Sequence, residues 1–341
     1  MQEHRAPQFP VPRVEILDAT LRDGSYAVDF QLDETFVRKL LRQLEATPIT
    51  KVEVGHGLGF EAERSGIRAS NIDLPRWCEI VGEELPTTPW GMFAQPGFSR
   101  LETLTDLCKE GMSFVRIGVE PDKVRNHLDY IERATEICGE VYLNLMKTSS
   151  TPAHDLPELL RGIPDVAGVY VVDSCGSMMP ADVRRYVNVA KEICPVVGFH
   201  GHDNLGMANA NSIAAYEAGA AIADGTLDGI GRGAGNAETE SLAGIMRLLG
   251  EDRFDYKELA QLAHFCRTSL ELLPEDRNMQ VLGGVIGIHS GFFPFIDQLC
   301  EEKSVEPAPL METAAGLARY SAEKSDLRAA AQQLCRQTVA A

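Results

Sequence analysis

The chain has 341 residues, 44% of them hydrophobic and 24% charged, which is enough apolar material for a full-sized core without disulfides or structural metal. No window approaches the eighteen uninterrupted apolar residues that a bilayer-crossing helix needs, so a membrane span is excluded as an expectation. The 32 Lys and Arg against 50 Asp and Glu give a formal charge of −18 with no basic stripe, which weighs against nucleic acid and requires local arginines to capture any small anionic substrate.

Residues 1–12 are polar and proline-punctuated, lack the apolar run of a signal peptide, and are expected to form a loose tail. Short apolar runs follow at 14–18, 51–54, 90–95, 114–117, 140–146, 168–173, 195–200 and 222–228. Their starts lie 24 to 39 residues apart, the spacing of one strand, one helix and two loops. Intervening segments such as 181–193 and 209–218 place apolar residues at helical spacing. Eight such units predict an α/β chain with a closed (β/α)8 barrel over 13–251, an open doubly wound sheet being the structural alternative. Residues 252–341 read as helical apart from a Gly-rich interruption at 283–291, and they exceed what barrel closure needs. They are expected to form a C-terminal helical domain. The eight cysteines include no CxxC pair and several sit in apolar contexts, so they read as reduced structural thiols in a cytoplasmic protein.

Most of the strands end in polar or reactive residues, and in a β/α barrel those C-terminal ends meet at one mouth. The strongest local signal is His200-Gly-His202 at the end of the seventh strand. Residues two apart on a strand share a face, so both imidazoles can reach one ion, with Asp23 after the first strand as third ligand. A His2Asp set with open positions suits a catalytic divalent ion better than a closed structural site. Arg22, beside Asp23, can grip the carboxylate of a 2-oxo acid in a bidentate fork while the ion polarises its ketone. An Arg–Asp salt bridge is the structural alternative.

The motifs DATLRDG (18–24), VEVGHGLGF (52–60), VVDSCGSM (171–178), FHGHDNLGMANANS (199–212) and DGIGRGAGNAETE (228–240) resemble, in order and spacing, the DRE-TIM metallolyases. The match is to their 4-hydroxy-2-oxovalerate aldolase branch, the class II pyruvate aldolases. The resemblance implies a TIM barrel whose Asp23, His200 and His202 hold a divalent ion, commonly manganese, with magnesium, cobalt or zinc as alternatives. It also implies that Arg22 stabilises pyruvate and its enolate. Asn236 matches a metal ligand of the acyl-CoA branches and is carried as a further candidate, against a residue that merely closes a Gly-rich turn. Ser174 matches a residue lining the pyruvate pocket, with a helix N-cap as the alternative. His56 matches a position near the metal or substrate. Arg116 and Glu120 are read as salt-bridge residues and Lys147 as solvent-facing. Gly231–Gly235 could cradle an anion but is no nucleotide loop.

This chain departs from the aldolase pattern at two positions. Where that branch carries a histidine after one intervening residue past the first-motif glycine, this chain has Tyr26. Where it carries a tyrosine in a C-terminal Gly-x-Tyr-Ser segment, this chain has His289. The expectation is an exchange of roles, with His289 as general acid or base and Tyr26 as its hydrogen-bonding or oxyanion-stabilising partner. The reading overall is a metal-dependent aldolase acting on a 2-oxo acid and an aldehyde, expected as a homodimer, with an acylating aldehyde dehydrogenase as the family's partner. Two alternatives stay open. One is an acyl-CoA-dependent Claisen enzyme or lyase of the isopropylmalate synthase or hydroxymethylglutaryl-CoA lyase kind. The other is a non-catalytic barrel serving a pathway complex.

Overall fold

The computed structural model describes residues 14–340, with side chains through 336, so the tail expected over 1–12 lies outside the described residues. Strands and helices alternate as β1 (Glu15–Leu21), α1 (Glu34–Glu45), β2 (Lys51–Val54), α2 (Leu74–Glu84), β3 (Trp90–Ala94), α3 (Leu101–Lys109), β4 (Phe114–Val119) and α4 (Leu128–Ile137). The second half continues with β5 (Glu140–Leu145), the short α5 (Leu156–Leu159), β6 (Gly168–Asp173), α6 (Pro180–Ile193), β7 (Val197–Gly201), α7 (Ala208–Glu217), β8 (Ile222–Gly225) and α8 (Thr239–Leu248). All strand pairs are parallel, and β1 meets β8 with Glu15 opposite Ile222 and Asp18 opposite Gly225, closing the barrel. The doubly wound alternative is thereby excluded. The eighth strand stops short of its expected end at 228, because the chain after Gly225 turns through a 3-10 segment at Leu227–Gly229.

The helices form for local reasons. Asp33 caps α1 by accepting from Phe36 N, and Phe36, Val37, Leu40, Leu41 and Leu44 then fall on one buried face. Asp73 caps α2 in the same way, with Pro75 in the first turn, where no N–H is needed. Inside the barrel, Leu17, Ala19, Phe114, Tyr142, Tyr170, Val172 and Ile222 pack as a separate cluster. The aromatic edges of Tyr142 meet Phe114 at 6.2 Å and Tyr170 at 5.7 Å between centroids.

After the barrel come α9 (Tyr256–Ser269), α10 (Arg277–Ile286), α11 (Phe293–Lys303), α12 (Pro307–Leu317) and α13 (Lys324–Ala340). Core sharing groups α9 with the barrel: Leu259, Leu262, Ala263 and Cys266 belong to its main apolar cluster. A second core begins at Met279 and holds Phe293, Ile296, Leu310, Met311, Leu327 and Ala330. The expected Gly-rich interruption is narrower than 283–291, since Gly283 and Gly284 lie within α10 and the helix ends at Gly287 in the left-handed region. The helical addition is tied to the barrel mouth by Asn204 Nδ2, which donates to the Gln280 carbonyl and to its Oε1, and by the Lys123–Glu323 ion pair. The cysteines are all free, and among the described residues no helix is long and apolar enough to cross a membrane.

Candidate active site

The first wall of the site comes from an irregularity in β1. Its register with β2 shifts between Asp18 and Leu21. Asp18 holds the bend by accepting from Thr20 N and Oγ1 and from Thr239 Oγ1, each at 3.0 Å. Arg22 and Asp23, which follow, are both buried at the C-terminal mouth of the barrel. They do form the salt bridge weighed as an alternative, but at the mouth, where it is part of the site.

Asp23, His200 and His202 each offer a ligand atom within 4.8 Å of the others, and all three residues are buried. His200 donates from Nδ1 to Asp224 Oδ2 at 2.9 Å, which leaves its Nε2 lone pair for the site. The two imidazole rings stand 5.2 Å apart at 78°. Burial disfavours the Asp23 anion, but Arg22 together with His202, His200 and Arg232 outweighs it and holds the carboxyl well below the usual carboxylate range. Burial pushes His202 down to about 3, so it presents a neutral imidazole. Asn236 donates to Asp23 Oδ2 at 2.6 Å, while its own Oδ1 is buried with no protein partner. An ionised carboxylate, the neutral His202 imidazole, the His200 ring with its Nδ1 held by Asp224, and an orphaned amide oxygen make up a donor set that fits a divalent cation. Glycine is required next to it: a Cβ at Gly231 would stand 2.2 Å from Asn236 Nδ2 and 2.9 Å from Asp23 Oδ2.

Beneath this set runs a buried chain of charges, of which sequence reasoning read Arg116 as a salt-bridge residue but missed Glu53 and Asp224. Glu53 accepts from Arg22 Nε at 2.5 Å and from Arg116, and Arg116 also pairs with Asp224, which completes a path from Arg22 to His200. Arg116 therefore bridges Glu53 and Asp224, whereas Glu120 pairs with Lys147. Burial opposes the Glu53 anion, yet Arg116 and Arg22 lower its carboxyl to about 2. The signal was present in the sequence: a charge flanked by apolar residues in VEV or IADG has only the barrel interior to enter.

The cavity above has a volume of about 220 Å³ and is lined by Arg22, Asp23, Tyr26, Ser174, His200, His202 and His289, together with the unforeseen Gln95, Glu120, Asn144, Lys147 and Arg232. Ser174 caps no helix, since α6 begins at Pro180, and its Oγ accepts from Lys147 N at 2.8 Å. Lys147 corrects the solvent-facing expectation. Its side chain is only 13% exposed, its Nζ lies 2.7 Å from Glu120 Oε1, and it sits 5.4 Å over the Phe292 ring. His56 stands behind the lining residues Gly57 and Leu58. It does not line the cavity, its ring stacks on Phe30 at 3.9 Å, Nδ1 accepts from Leu58 N, and Nε2 lies 3.0 Å from the Arg68 carbonyl. With both nitrogens engaged, it shapes the turn that carries Gly57, where a Cβ would strike the Tyr26 ring at 2.5 Å.

Tyr26 and His289 face the same cavity and are linked through Arg232, whose guanidinium lies 4.9 Å over the Tyr26 ring and whose Nη2 is 2.5 Å from His289 Nε2. Arginine has only donors, so Nε2 is the acceptor and the imidazole is neutral, with its proton on Nδ1. The 3.2 Å approach of Gly291 N to Nδ1 is then a close contact and not a second bond. Burial and Arg232 both depress the basicity of His289, and burial raises the Tyr26 phenol.

The HMGL-like family profile matches residues 104–266. A protein named 4-hydroxy-2-oxovalerate aldolase from Spirochaeta aurantia is 33% identical over 304 residues, covering 87% of this chain and 89% of its own. One named oxaloacetate decarboxylase from Mycobacterium tuberculosis is 37% identical over 238 residues, covering 69% and 70%. The carboxyl transferase domain of Rhizobium etli pyruvate carboxylase with pyruvate and biocytin matches 95% of this chain at a TM-score of 0.71 and 15% identity; this chain spans 61% of that one, and the likeness is of fold. With a barrel closed in the expected order and relatives above 30% identity over most of its length, the chain belongs to the HMGL-like, DRE-TIM family of carbon–carbon lyases.

Proposed function

We propose that the protein is a divalent-metal-dependent aldolase that joins or separates the enolate of pyruvate, or of a homologous 2-oxo acid, and an aldehyde. The observation that carries this reading is the convergence of Asp23, His200 and His202 within 4.8 Å beside Arg22. These three residues, with Asn236 as a fourth candidate, would hold the cation, and manganese is the ion the resemblance favours. When bound, a divalent ion supplies a Lewis acid at the ketone oxygen and a counter-charge for the enolate.

The rest follows from the protein's own groups. Arg22 spends Nε on Glu53 and Nη1 on Asp23, while Nη2 makes no hydrogen bond to the described residues and is the donor for the substrate carboxylate. Ser174 and the backbone around it border the 2-oxo acid. In the cleavage direction His289 takes the hydroxyl proton, the C3–C4 bond breaks, the aldehyde leaves and the electron pair remains as the enolate, which is then protonated at C3. Tyr26 steadies the oxygen that loses its proton. For His289 to act as base, Arg232 must release its Nε2, so substrate binding and activation of the base are coupled at this pair.

A second reading, decarboxylation of a 2-oxo diacid, passes through the same enolate and is favoured by the resemblance to the M. tuberculosis relative. The homodimer and the aldehyde dehydrogenase partner remain parts of the proposal, tested by solution mass and co-purification. The decisive assay supplies the metal-loaded protein with 4-hydroxy-2-oxovalerate, with oxaloacetate, and with acetyl-CoA plus a 2-oxo acid. Pyruvate and aldehyde from the first support the aldolase. Carbon dioxide from the second alone supports the decarboxylase, and free thiol from the third would replace both readings by the Claisen-type one.

A further inference from the structure

Each cation in or under the cavity has an anionic partner, with one exception. Arg22 pairs with Asp23 and Glu53, Arg116 with Glu53 and Asp224, and Lys147 with Glu120. Arg232, in the Gly231–Gly235 turn after β8, forms no ion pair among the described residues. Its Nε is buried without a hydrogen-bond partner, and its Nη2 is satisfied only by the neutral imidazole of His289. A guanidinium held in a cavity wall without a counter-charge is costly unless a ligand supplies one. The surrounding strip holds the side chain in place for that purpose. Tyr26 lies under Arg232, His289 contacts Phe292 at 6.3 Å, and Phe292 in turn carries Lys147, so Arg232 is fixed on the His289 side of the cavity by stacking and not by charge.

We infer that Arg232 binds a second carboxylate of the substrate, carried on the aldehyde half, so that the acceptor is a carboxylate-bearing aldehyde and the aldol product a 2-oxo diacid. The assignment rests on the aldolase reading for the identity of the two halves. One unpaired guanidinium matches one negative charge, and the Glu120 carboxylate in the same wall disfavours a more highly charged phosphate. Binding there would also draw Arg232 away from His289 Nε2, which favours release of the acid–base group when an anionic acceptor is in place.

Calorimetry on the full-length, manganese-loaded protein tests this with 2-oxoadipate and 2-oxohexanoate, which differ only in a terminal carboxylate against a methyl. The expected result is about tenfold or more tighter binding of the diacid, as a charge-assisted pair supplies. That preference should fall to about twofold or less in Arg232→Gln and be partly retained in Arg232→Lys, which keeps the charge but loses the fork. Equal affinities in the unaltered protein would overturn the inference, as would an Arg232→Gln variant that weakens both ligands in the same proportion. Should Arg232→Gln fail to fold, the unaltered protein and Arg232→Lys still decide by the same ratio. Pyruvate methyl-hydrogen exchange separates the two levels. Exchange without diacid preference sinks only the Arg232 subsite, whereas diacid preference without exchange keeps the subsite and sinks the aldolase reading.

Discussion

Asp224 Oδ2 accepts the Nδ1 proton of His200 at 2.9 Å while also pairing with Arg116, so one carboxylate fixes the imidazole tautomer and ends the buried charge chain that starts at Arg22. An outer carboxylate of this kind raises the basicity of a ligating histidine and fixes its ring orientation. Replacing Asp224 with Asn keeps an acceptor but removes the charge. Divalent-ion affinity is expected to fall about 10- to 100-fold. Competition with a fluorescent chelator measures it, and an unchanged affinity would detach Asp224 from the metal site.

Arg116 is wholly buried and joins Glu53 to Asp224. Removing it leaves Glu53 with Arg22 as its one cation and Asp224 with the His200 N–H alone. Arg116→Met is therefore expected to lose about 3–5 kcal/mol of stability, the usual cost of breaking a buried pair from one side. Urea unfolding gives the figure; a loss under about 1 kcal/mol would mean that water reaches the network.

Asp18 carries the pH dependence of the first-strand bend. Burial raises its carboxyl to about 6 in the folded chain against 3.8 unfolded, despite three hydroxyl and amide donors. The folded state thus holds this proton more tightly than the unfolded state. Its contribution to stability is fully present below the unfolded value and is lost as pH rises from about 4 to about 6, by up to ~3 kcal/mol. Asp18→Asn does not titrate, so its stability relative to the unaltered protein should rise across that window, as read by urea unfolding at pH 4.5 and 7.5. A pH-independent difference would contradict the assignment.

His289→Ala is expected to lower aldol turnover about a hundredfold, while metal content and pyruvate enolisation persist. Tyr26→Phe should lower turnover less, because it removes a hydroxyl and leaves the ring under Arg232 intact. Steady-state kinetics on both variants checks this, and near-native turnover in His289→Ala would remove the histidine from the chemistry.

The barrel and the convergence of His200 and His202 at its mouth were legible because both follow from local pattern: strand spacing gives the units, and a His-x-His at a strand end places two imidazoles on one face whatever the register. Glu53, Asp224 and Arg232 were not legible as partners, since their pairing depends on how β2, β4 and β8 align and where the loop after β8 falls. The hydrogen-bond partners of His56 were not legible for a related reason. Its nitrogens are taken by Leu58 N and the Arg68 carbonyl, and the path of the loop that brings Arg68 back cannot be inferred from GHG alone. Lys147 looked solvent-facing because Glu120 and Phe292, which enclose it, lie 27 and 145 positions away in sequence.

The most direct test of the central claim is deuterium exchange at the methyl group of pyruvate, followed by proton NMR with and without a divalent ion. Exchange should require the ion, stop on chelation, and be lost in Arg22→Met and His202→Ala. A folded protein with the ion bound that leaves the methyl protons untouched would contradict the account.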